Sequence, residues 1–352
     1  MKEHWTTKVL SKYARCSYAE EGFTSKVRLA ITLRFLAGAS YIDIQDVWGC
    51  PVADPKKIYR IVYGIVDIVN TVLQLPGVPF DNKEEAVKVS QSFSRLTQNK
   101  FVGAIGAIDG FLLALHDPKS AVKDSAHYYS RKGFFALNLQ VVCDGHRRVM
   151  WASCNSPGAT HDSRAFERSD LFANCSKSAM MREWGFFLVG DSAYVSAPWM
   201  VTPFSAAVPN TVEDAFNYCQ SRTRISIECT FGELTQRWGF LWRPSRLKLH
   251  RTVAVVNALF RLHNLCVEDR AGDAIAESNT DLGLTYGADD NFGAVAAPVP
   301  AKRAAGGDKK CAVRATLAKS LWNAGLRRKI NQGVVKNASG QYMRVHELHE
   351  FS

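Results

Sequence analysis

The first third of the chain places apolar residues three and four positions apart, which is the period of an α-helix. This pattern predicts a helix over 25–37, which Gly38 ends in a left-handed cap. Ser40 begins a second helix over 40–47. Asp54 and Pro55 begin a third, because Asp caps free amide groups and Pro fits the first helical position. A further helix is predicted over 83–96.

Basic residues lie near the start of the third predicted helix, namely Lys56, Lys57 and Arg60. A short helix, a tight turn and a second helix of this kind form a helix-turn-helix, whose second member lies in the major groove of DNA. These three residues are therefore predicted to contact DNA. A plain three-helix packing module with solvated lysines is the alternative that the sequence leaves open.

The stretch 102–117 is apolar on both faces of a period-two pattern. It predicts a central strand that is covered on both sides. Asp109 lies in its middle, where an ionised carboxylate is costly unless it is paired, hydrogen-bonded or bound to a metal. Asp109 is thus a candidate functional acid. The alternative is an acid that reaches solvent or a turn, which Gly110 beside it would permit.

Two more strands follow, over 134–143 and 148–153, and Asp144 with Gly145 between them is typical of a β-hairpin. The sheet is therefore predicted to begin as an antiparallel meander. A helix is predicted next, over 160–172, after a proline-glycine break.

A second acid, Asp191, follows the apolar run 186–189, which predicts a buried strand. Acids at the carboxyl ends of strands in such sheets line the ligand crevice. A short fifth strand is predicted over 197–204, although its two prolines disfavour it.

The last part of the sheet domain is predicted to be helical, over 217–238 and 252–267. Glu228 lies beside the apolar stripe of the first helix. Its alternative role is a surface ion pair with Arg224 one turn earlier, which contributes only about 0.2–0.5 kcal/mol.

The tail changes composition twice. Residues 271–308 are rich in Ala, Gly, Asp and Pro, which predicts a flexible linker. A basic helix is predicted over 311–330. This helix is predicted to contact DNA or a partner chain, or to serve as a nuclear import signal. The alternative is a helix that is only loosely held on the surface.

The chain carries 44 Lys and Arg against 33 Asp and Glu, so its net charge is +11. Such an excess favours a polyanionic partner, nucleic acid first. The nine cysteines are scattered without a C-x-x-C spacing, which argues against a zinc finger or a disulfide framework and favours a reducing compartment. No stretch is apolar enough to span a bilayer, and the N-terminus lacks the apolar core of a signal peptide.

Six groups of residues follow one another over about 102–268. They are Gly-Ala-Ile-Asp-Gly at 106–110, Tyr-Ser-Arg-Lys-Gly at 129–133 with Asn-Leu-Gln at 138–140, Ser-Pro-Gly-Ala-Thr-His-Asp-Ser at 156–163, Gly-Asp-Ser-Ala-Tyr at 190–194, Thr-Arg at 223–224 with Ile-Glu-Cys-Thr-Phe-Gly at 227–232, and Leu-His-Asn at 262–264. In this order they resemble the DDE endonuclease domain of PIF/Harbinger-type transposases, a branch of the RNase H-like superfamily. The upstream helices also resemble the family's N-terminal helix-turn-helix.

The resemblance implies that Asp109, Asp191 and Glu228 are the catalytic acids and the ligands of divalent cations, Mg²⁺ or Mn²⁺, with two ions expected. The chain departs from the family at Ala193, where Gly is usual, and at Cys229, where Arg is common. Neither change removes a carboxylate.

The implied chemistry is cleavage of a DNA phosphodiester bond. Two Mg²⁺ ions about 3.5–4 Å apart activate the attacking oxygen and stabilise the leaving oxygen. Asp109 would bridge both ions, Asp191 would hold one and Glu228 the other. Neighbouring acids repel one another without metal, so raised pKa values and metal-dependent thermal stabilisation are expected.

Four further residues are candidates for supporting roles. His161 and Asp162 begin a helix, where capping or hydrogen-bonded support of the ligands is expected and direct metal ligation is the alternative. Arg131 and Lys132, at the entry to the second strand, are predicted to hold DNA phosphates, with a solvated turn as the alternative.

The predicted fold is α/β. An RNase H-like mixed sheet, with an antiparallel three-strand meander plus parallel strands, is flanked by helices and preceded by a small helix-turn-helix domain. The predicted divisions are an N-terminal arm at 1–24, a helical domain at 25–98, the nuclease domain at 99–270, a flexible linker at 271–310, and a basic helix and tail at 311–352.

The predicted function is that of a metal-dependent DDE transposase-type endonuclease acting on terminal inverted repeats of DNA in the nucleus. The resemblance also implies a separate Myb-like DNA-binding partner. A homo-oligomer is left open, and no membrane association is expected because no stretch is long and apolar enough to span a bilayer. The alternative is a domesticated, catalytically silent DNA-binding or scaffold protein. A small-molecule metal phosphohydrolase is a third hypothesis, which the charge of +11 and the helix-turn-helix pattern disfavour.

Overall fold

The computed structural model describes residues 23–48, 55–118, 124–278 and 312–326, together with two short strands near the C-terminus. The α-helices are α1 (Ser25–Leu36), α2 (Tyr41–Trp48), α3 (Pro55–Val72), α4 (Lys83–Ser94), α5 (Asp162–Glu167), α6 (Asp170–Lys177), α7 (Ala179–Glu183), α8 (Val212–Arg237), α9 (Leu249–Ser278) and α10 (Ala312–Asn323). The strands are β1 (Ala104–Ala114), β2 (Ala136–Cys143), β3 (Val149–Pro157), β4 (Phe187–Val189), β5 (Met200–Val201), β6 (Val335–Lys336) and β7 (Tyr342–Met343).

The main sheet has five strands in the order β3-β2-β1-β4-β5. β1 to β3 are antiparallel neighbours, whereas β4 and β5 run parallel to β1. β1 is therefore central, as its two apolar faces predicted, and Ile105 and Ile108 on opposite faces are both fully buried. The predicted α/β class and the mixed five-stranded sheet flanked by helices are confirmed, in an arrangement consistent with an RNase H-like fold.

Two elements after the meander differ from the prediction. The helix predicted over 160–172 is two helices, α5 and α6, because the Ser169 hydroxyl accepts from the Phe172 N–H at 3.2 Å and caps a new helix. The predicted fifth strand shrinks to Met200–Val201. Pro198 and Pro203 on either side lack the N–H that a longer ladder would need.

Two helices are longer than predicted. α8 begins at Val212 because Thr211 caps it, accepting from the Asp214 N–H at 3.3 Å. α9 continues to Ser278, so the linker prediction is wrong for 271–278. A helix that packing has already started adds one hydrogen bond for each further residue, which outweighs a weak local composition signal. The remaining part of the predicted linker, 279–310, lies outside the described residues.

The basic C-terminal helix is docked on the domain rather than loosely held. Within α10, Ala318 and Leu321 are buried. The Arg314 guanidinium lies 4.2 Å from the ring centre of Phe204 and donates to the Thr202 and Pro203 carbonyls. The end of the predicted basic segment, 327–330, lies outside the described residues.

The helices before the sheet form as predicted, and α3 buries the expected apolar face. α3 packs on α1 and α9, with Asn70 donating to the Ala254 carbonyl at 2.9 Å and Arg251 paired with Asp67 at 3.0 Å. The turn predicted between α2 and α3 lies outside the described residues, as does the predicted arm at 1–22. The helix-turn-helix therefore stays a prediction. In the described ranges, no helix combines the length and apolarity needed to cross a membrane.

Candidate active site

The register between two parallel strands brings Asp109 and Asp191 together. Ala107 of β1 pairs with Val189 of β4, and each acid lies two residues further along its own strand direction. Alternation then places both acids on the same face of the sheet. This face lies under α8, since Phe111 of β1 packs on Phe231 of that helix at 5.2 Å between ring centres.

The surroundings of Asp109 disfavour its ionised form. Burial, followed by the charges of Asp191 and Asp162, raises its pKa from 3.8 to about 6. The Gly110 N–H, which donates to Oδ1 at 2.8 Å, and the nearby Arg224 guanidinium oppose this rise in pKa. The acid therefore gains a proton far more readily than an acid in water.

Asp191 lies in a similar environment. Burial is the main cause of its raised pKa, and the charge of Asp162 adds to it. The Ala193 N–H, donating at 2.9 Å, and the charges of Arg224 and Arg131 act in the opposite direction. The pKa values of Asp109 and Asp191 are thus raised in the expected direction, but burial is the main cause rather than repulsion between the acids.

Glu228 is linked to Asp109 by the guanidinium of Arg224, which contacts both carboxylates. The Arg224 Nη1 atom lies 2.5 Å from Oε1 of Glu228 and 3.9 Å from Oδ2 of Asp109. The i,i+4 pair that formed the alternative reading of Glu228 is therefore present, but its guanidinium also faces the buried acid. Sequence reasoning missed this second contact, because spacing along one helix carries no information about the sheet beneath it.

Asp162 lies on the opposite face of β1, next to Gly110. Its Oδ1 accepts from the Asn138 amide at 2.9 Å and from the Gln140 amide at 3.0 Å. The carboxylate does not cap α5, whose N-terminal cap position is His161 without a side-chain bond. The capping role considered for Asp162 is therefore wrong, and its carboxylate instead belongs to a network with the polar side of β2.

The two amides of that network, Asn138 and Gln140, are buried, and neither was predicted as functional. Asn138 and Gln140 are 3% and 1% exposed. Gln140 also accepts from the Tyr194 hydroxyl at 2.6 Å and donates to Asn138 at 2.8 Å. The signal that could have revealed it is the pair of amides on one face of an otherwise apolar strand, since buried amides need partners.

Gly110 has no side chain because Asp162 occupies that space. A methyl group on Gly110 would lie 2.1 Å from Asp162 Oδ1 and 3.0 Å from Gln140 Nε2. We expect Gly110→Ala to displace Asp162 and to lower the unfolding free energy by about 1–3 kcal/mol, the usual cost of overpacking. Urea denaturation followed by circular dichroism measures this change.

Gly232→Ala is the matched control, because no atom lies within 4 Å of the added methyl group in the middle of α8. It is expected to stabilise the protein by about 0.5–1 kcal/mol, since Ala favours a helix over Gly. If Gly110→Ala were as stable as the wild type, the close approach of Asp162 to β1 would be disproved.

The other predicted DNA contacts fall in two places. A cavity of about 80 Å³ on the Gly110 face has Arg131, Lys132 and His161 in its lining. These three side chains are exposed, and the charge of Arg131 is felt at Asp191. Lys56, Lys57 and Arg60 are exposed near the start of α3, which packs mainly on α1 and α9.

The donor set can be compared with the needs of a divalent cation. In the part of the chain that the structure describes, no three side chains of His, Cys, Asp or Glu form a ready-made metal site. The chemistry nevertheless fits, because Asp109 and Asp191 are hard oxygen donors whose mutual repulsion a cation would relieve. Asp109 and Asp191 would hold the ion, and Glu228 would join them only after leaving Arg224.

Comparison with known proteins shows that part of the chain is similar to a known family. Residues 108–264, which contain all these acids, match the DDE superfamily endonuclease family. The human protein named "Putative nuclease HARBI1" is 28% identical over 170 residues, which are 47% of this chain and 46% of that protein. The Arabidopsis thaliana protein ALP1-like is 24% identical over 257 residues, 68% of this chain and 60% of that protein.

The mouse HARBI1 protein is 31% identical over 137 residues, 39% of this chain and 37% of that protein. The chain thus spans about half the length, or less, of the HARBI1 proteins it matches. No solved structure matches it. Residues 108–264 therefore form a DDE superfamily endonuclease domain, as the order of the sequence motifs predicted.

Proposed function

We propose that this protein is a divalent-metal-dependent DNA endonuclease of the DDE transposase type, built on an RNase H-like fold. Its catalytic acids are Asp109, Asp191 and Glu228. The observation that carries the proposal is the parallel register of β1 and β4, which sets Asp109 and Asp191 side by side in a half-buried position. Glu228 is tied to the same position through Arg224.

The proposed roles follow from where the acids lie. When bound, two Mg²⁺ or Mn²⁺ ions supply an activated water or 3′-hydroxyl and stabilise the leaving oxygen. Asp109, on the central strand, would hold both ions. Asp191 would hold one of them and Glu228 the other. Partial burial of Asp109 and Asp191 reduces the screening of their charges by water.

DNA is the proposed substrate, supported by the net charge of +11. Arg131 and Lys132 are proposed to hold a backbone phosphate near the strand ends. Lys56, Lys57 and Arg60 of α3 are proposed to contact terminal inverted repeats. Action in the nucleus, as an oligomer and with a separate Myb-like partner, belongs to the same proposal.

One observation favours a second candidate, a domesticated DNA-binding protein without nuclease activity. In the described residues Glu228 is bonded to Arg224 and no three-ligand metal group is assembled. A chain that kept the fold but never released Glu228 would be catalytically silent.

Nicking of a supercoiled plasmid that carries inverted-repeat ends tests the proposal. The wild type should convert the plasmid to the open-circle form in Mn²⁺ but not in EDTA, and Asp191→Asn should fail in both. Asp81→Asn, which changes an exposed acid before α4, should cut like the wild type. Equal cutting by the wild type and Asp191→Asn would refute the proposed site. Retained DNA binding without cutting by any variant would favour the silent protein.

A further inference from the structure

The Arg224 guanidinium lies beside the acids that are proposed to bind the metal ions. It lies within 4 Å of two carboxylates that come from different elements, Glu228 of α8 and Asp109 of β1. Its charge also opposes the rise in the pKa of Asp191 that burial causes. All three proposed metal-binding acids are therefore neutralised in part by one side chain.

We propose that Arg224 is a built-in counter-ion of the metal-free site, which a divalent cation must displace from Glu228 before the ion is fully bound. This inference rests on the proposed function, because it concerns the same three acids. It adds a residue to that function, a cation that positions Glu228 in the empty protein and competes with the metal.

Electrostatic repulsion keeps the Arg224 guanidinium and a divalent ion from occupying the site together. Two positive charges held close together repel strongly where water screens them only in part, and a divalent ion doubles that repulsion. Arginine cannot avoid it by losing a proton, because its guanidinium stays charged in proteins. The guanidinium must therefore move away when the metal enters.

The surroundings of the pair permit this movement. The side chain of Glu228 is 47% exposed, whereas those of Arg224 and Asp109 are 24% and 22% exposed. The Arg–Glu pair thus reaches solvent through Glu228, while Asp109 is held in the central strand. At this open end of the pair, the long Arg224 side chain can turn toward solvent with its charged group in water.

The pair is also more than an ordinary surface ion pair. An exposed i,i+4 pair contributes little to stability, and it would have no effect on metal binding. Arg224 instead faces the half-buried Asp109 as well. Its removal would leave the acids without their nearest cation, so a metal ion should then bind more tightly.

Calorimetric titration of the full chain with Mn²⁺ alone, without DNA, tests this inference. We expect Arg224→Gln to bind Mn²⁺ at least about ten times more tightly than the wild type, because the repulsion between the guanidinium and the ion is removed. Arg224→Lys keeps the charge and should stay within about threefold of the wild type.

Arg222→Gln is the matched control, since it removes the same charge from the same helix. Arg222 contacts Tyr218, donating to its hydroxyl at 2.8 Å, and not the acids of the site. Its Mn²⁺ affinity should stay within about threefold of the wild type, as expected for a screened surface charge. Unchanged or weaker Mn²⁺ binding by Arg224→Gln, or equal gains in both Gln variants, would overturn the inference.

A measurement on the wild type covers the case in which Arg224→Gln does not fold. The Nε–H resonance of Arg224, assigned by its absence in Arg224→Lys, should shift when Mg²⁺ saturates the protein. No shift at saturation would overturn the inference. The result is separable from the proposed function: a protein that gains Mn²⁺ affinity in Arg224→Gln but never nicks DNA supports the counter-ion and refutes the nuclease.

Discussion

Asp109→Asn should abolish metal-dependent nicking and at the same time stabilise the fold. Residues that merely support metal ligands cost about 10–100-fold in affinity or activity when they are changed, so the loss of a proposed bridging ligand should exceed that range. The gain in stability has a separate cause, because the carboxylate is buried beside two other acids.

The sign of the stability change follows from the raised pKa. The folded state holds the Asp109 proton to about pH 6, whereas the ordinary value is 3.8. The stabilisation from this proton is therefore complete below about pH 4 and is lost as the pH rises to about 6. With about 1.4 kcal/mol for each pKa unit, the loss is on the order of 2–3 kcal/mol at neutral pH. Asn does not ionise and avoids this loss.

Urea unfolding in EDTA at pH 4 and pH 7.5 measures the effect. Asp109→Asn should be on the order of 2–3 kcal/mol more stable than the wild type at pH 7.5, and nearly equal to it at pH 4. Asp81→Asn, at an exposed position, should stay within about 0.5 kcal/mol at both pH values. The electrostatic account of the site fails if Asp109→Asn is less stable at pH 7.5 or shows the same difference at both.

Asn264→Ala is expected to destabilise the protein by about 2–4 kcal/mol, since two buried backbone groups lose their partners. β3 is an edge strand of the sheet. The Asn264 side chain of α9 accepts from the Val149 N–H and donates to the Val149 carbonyl, both at 2.7 Å. One amide thus replaces the missing neighbouring strand at this position.

Urea unfolding of Asn264→Ala against Asn70→Ala checks the claim. Asn70 donates a single bond, and its Oδ1 has no partner among the described residues. Its replacement should therefore cost no more than about 1 kcal/mol. A loss in Asn264→Ala as small as that in Asn70→Ala would contradict the role of the side chain as an edge cover.

The Leu-His-Asn motif at 262–264 therefore has a structural explanation. His263, fully buried, lies 2.8 Å from the Arg147 carbonyl through Nε2 and 3.2 Å from Arg237 through Nδ1. Burial is the main cause of the lowered pKa of His263, so the ring is held neutral. His263 and Asn264 together fasten the β2–β3 hairpin to α9.

Much of the fold could be predicted from local pattern. The central position of β1 followed from its two apolar faces, because a strand that is apolar on both sides must be covered on both. The helix break at Ser169 and the extension of α9 could not be predicted. The break depends on a side-chain cap, and the extension depends on packing that starts the helix elsewhere. Each of these effects differs from the local composition signal by only a small free energy.

The candidate site was likewise only partly predictable from local sequence pattern. Asp109 and Asp191 could be singled out because each acid interrupts or ends an apolar run, which is a local and costly feature. The partners of these acids could not. The amides of Asn138 and Gln140 that hold Asp162, and the second contact of Arg224, lie far from their partners in the sequence.

The sequence by itself determined where most strands and helices lie, which acids are expensive to bury, and the order of motifs that matches the endonuclease family. Only the tertiary structure decided which charges are neighbours, with Arg224 between Glu228 and Asp109 and with Asp162 on the opposite face of β1. The reason is physical. Periodicity and propensity act between residues a few positions apart, whereas Coulomb energy and hydrogen bonding depend on distance through space.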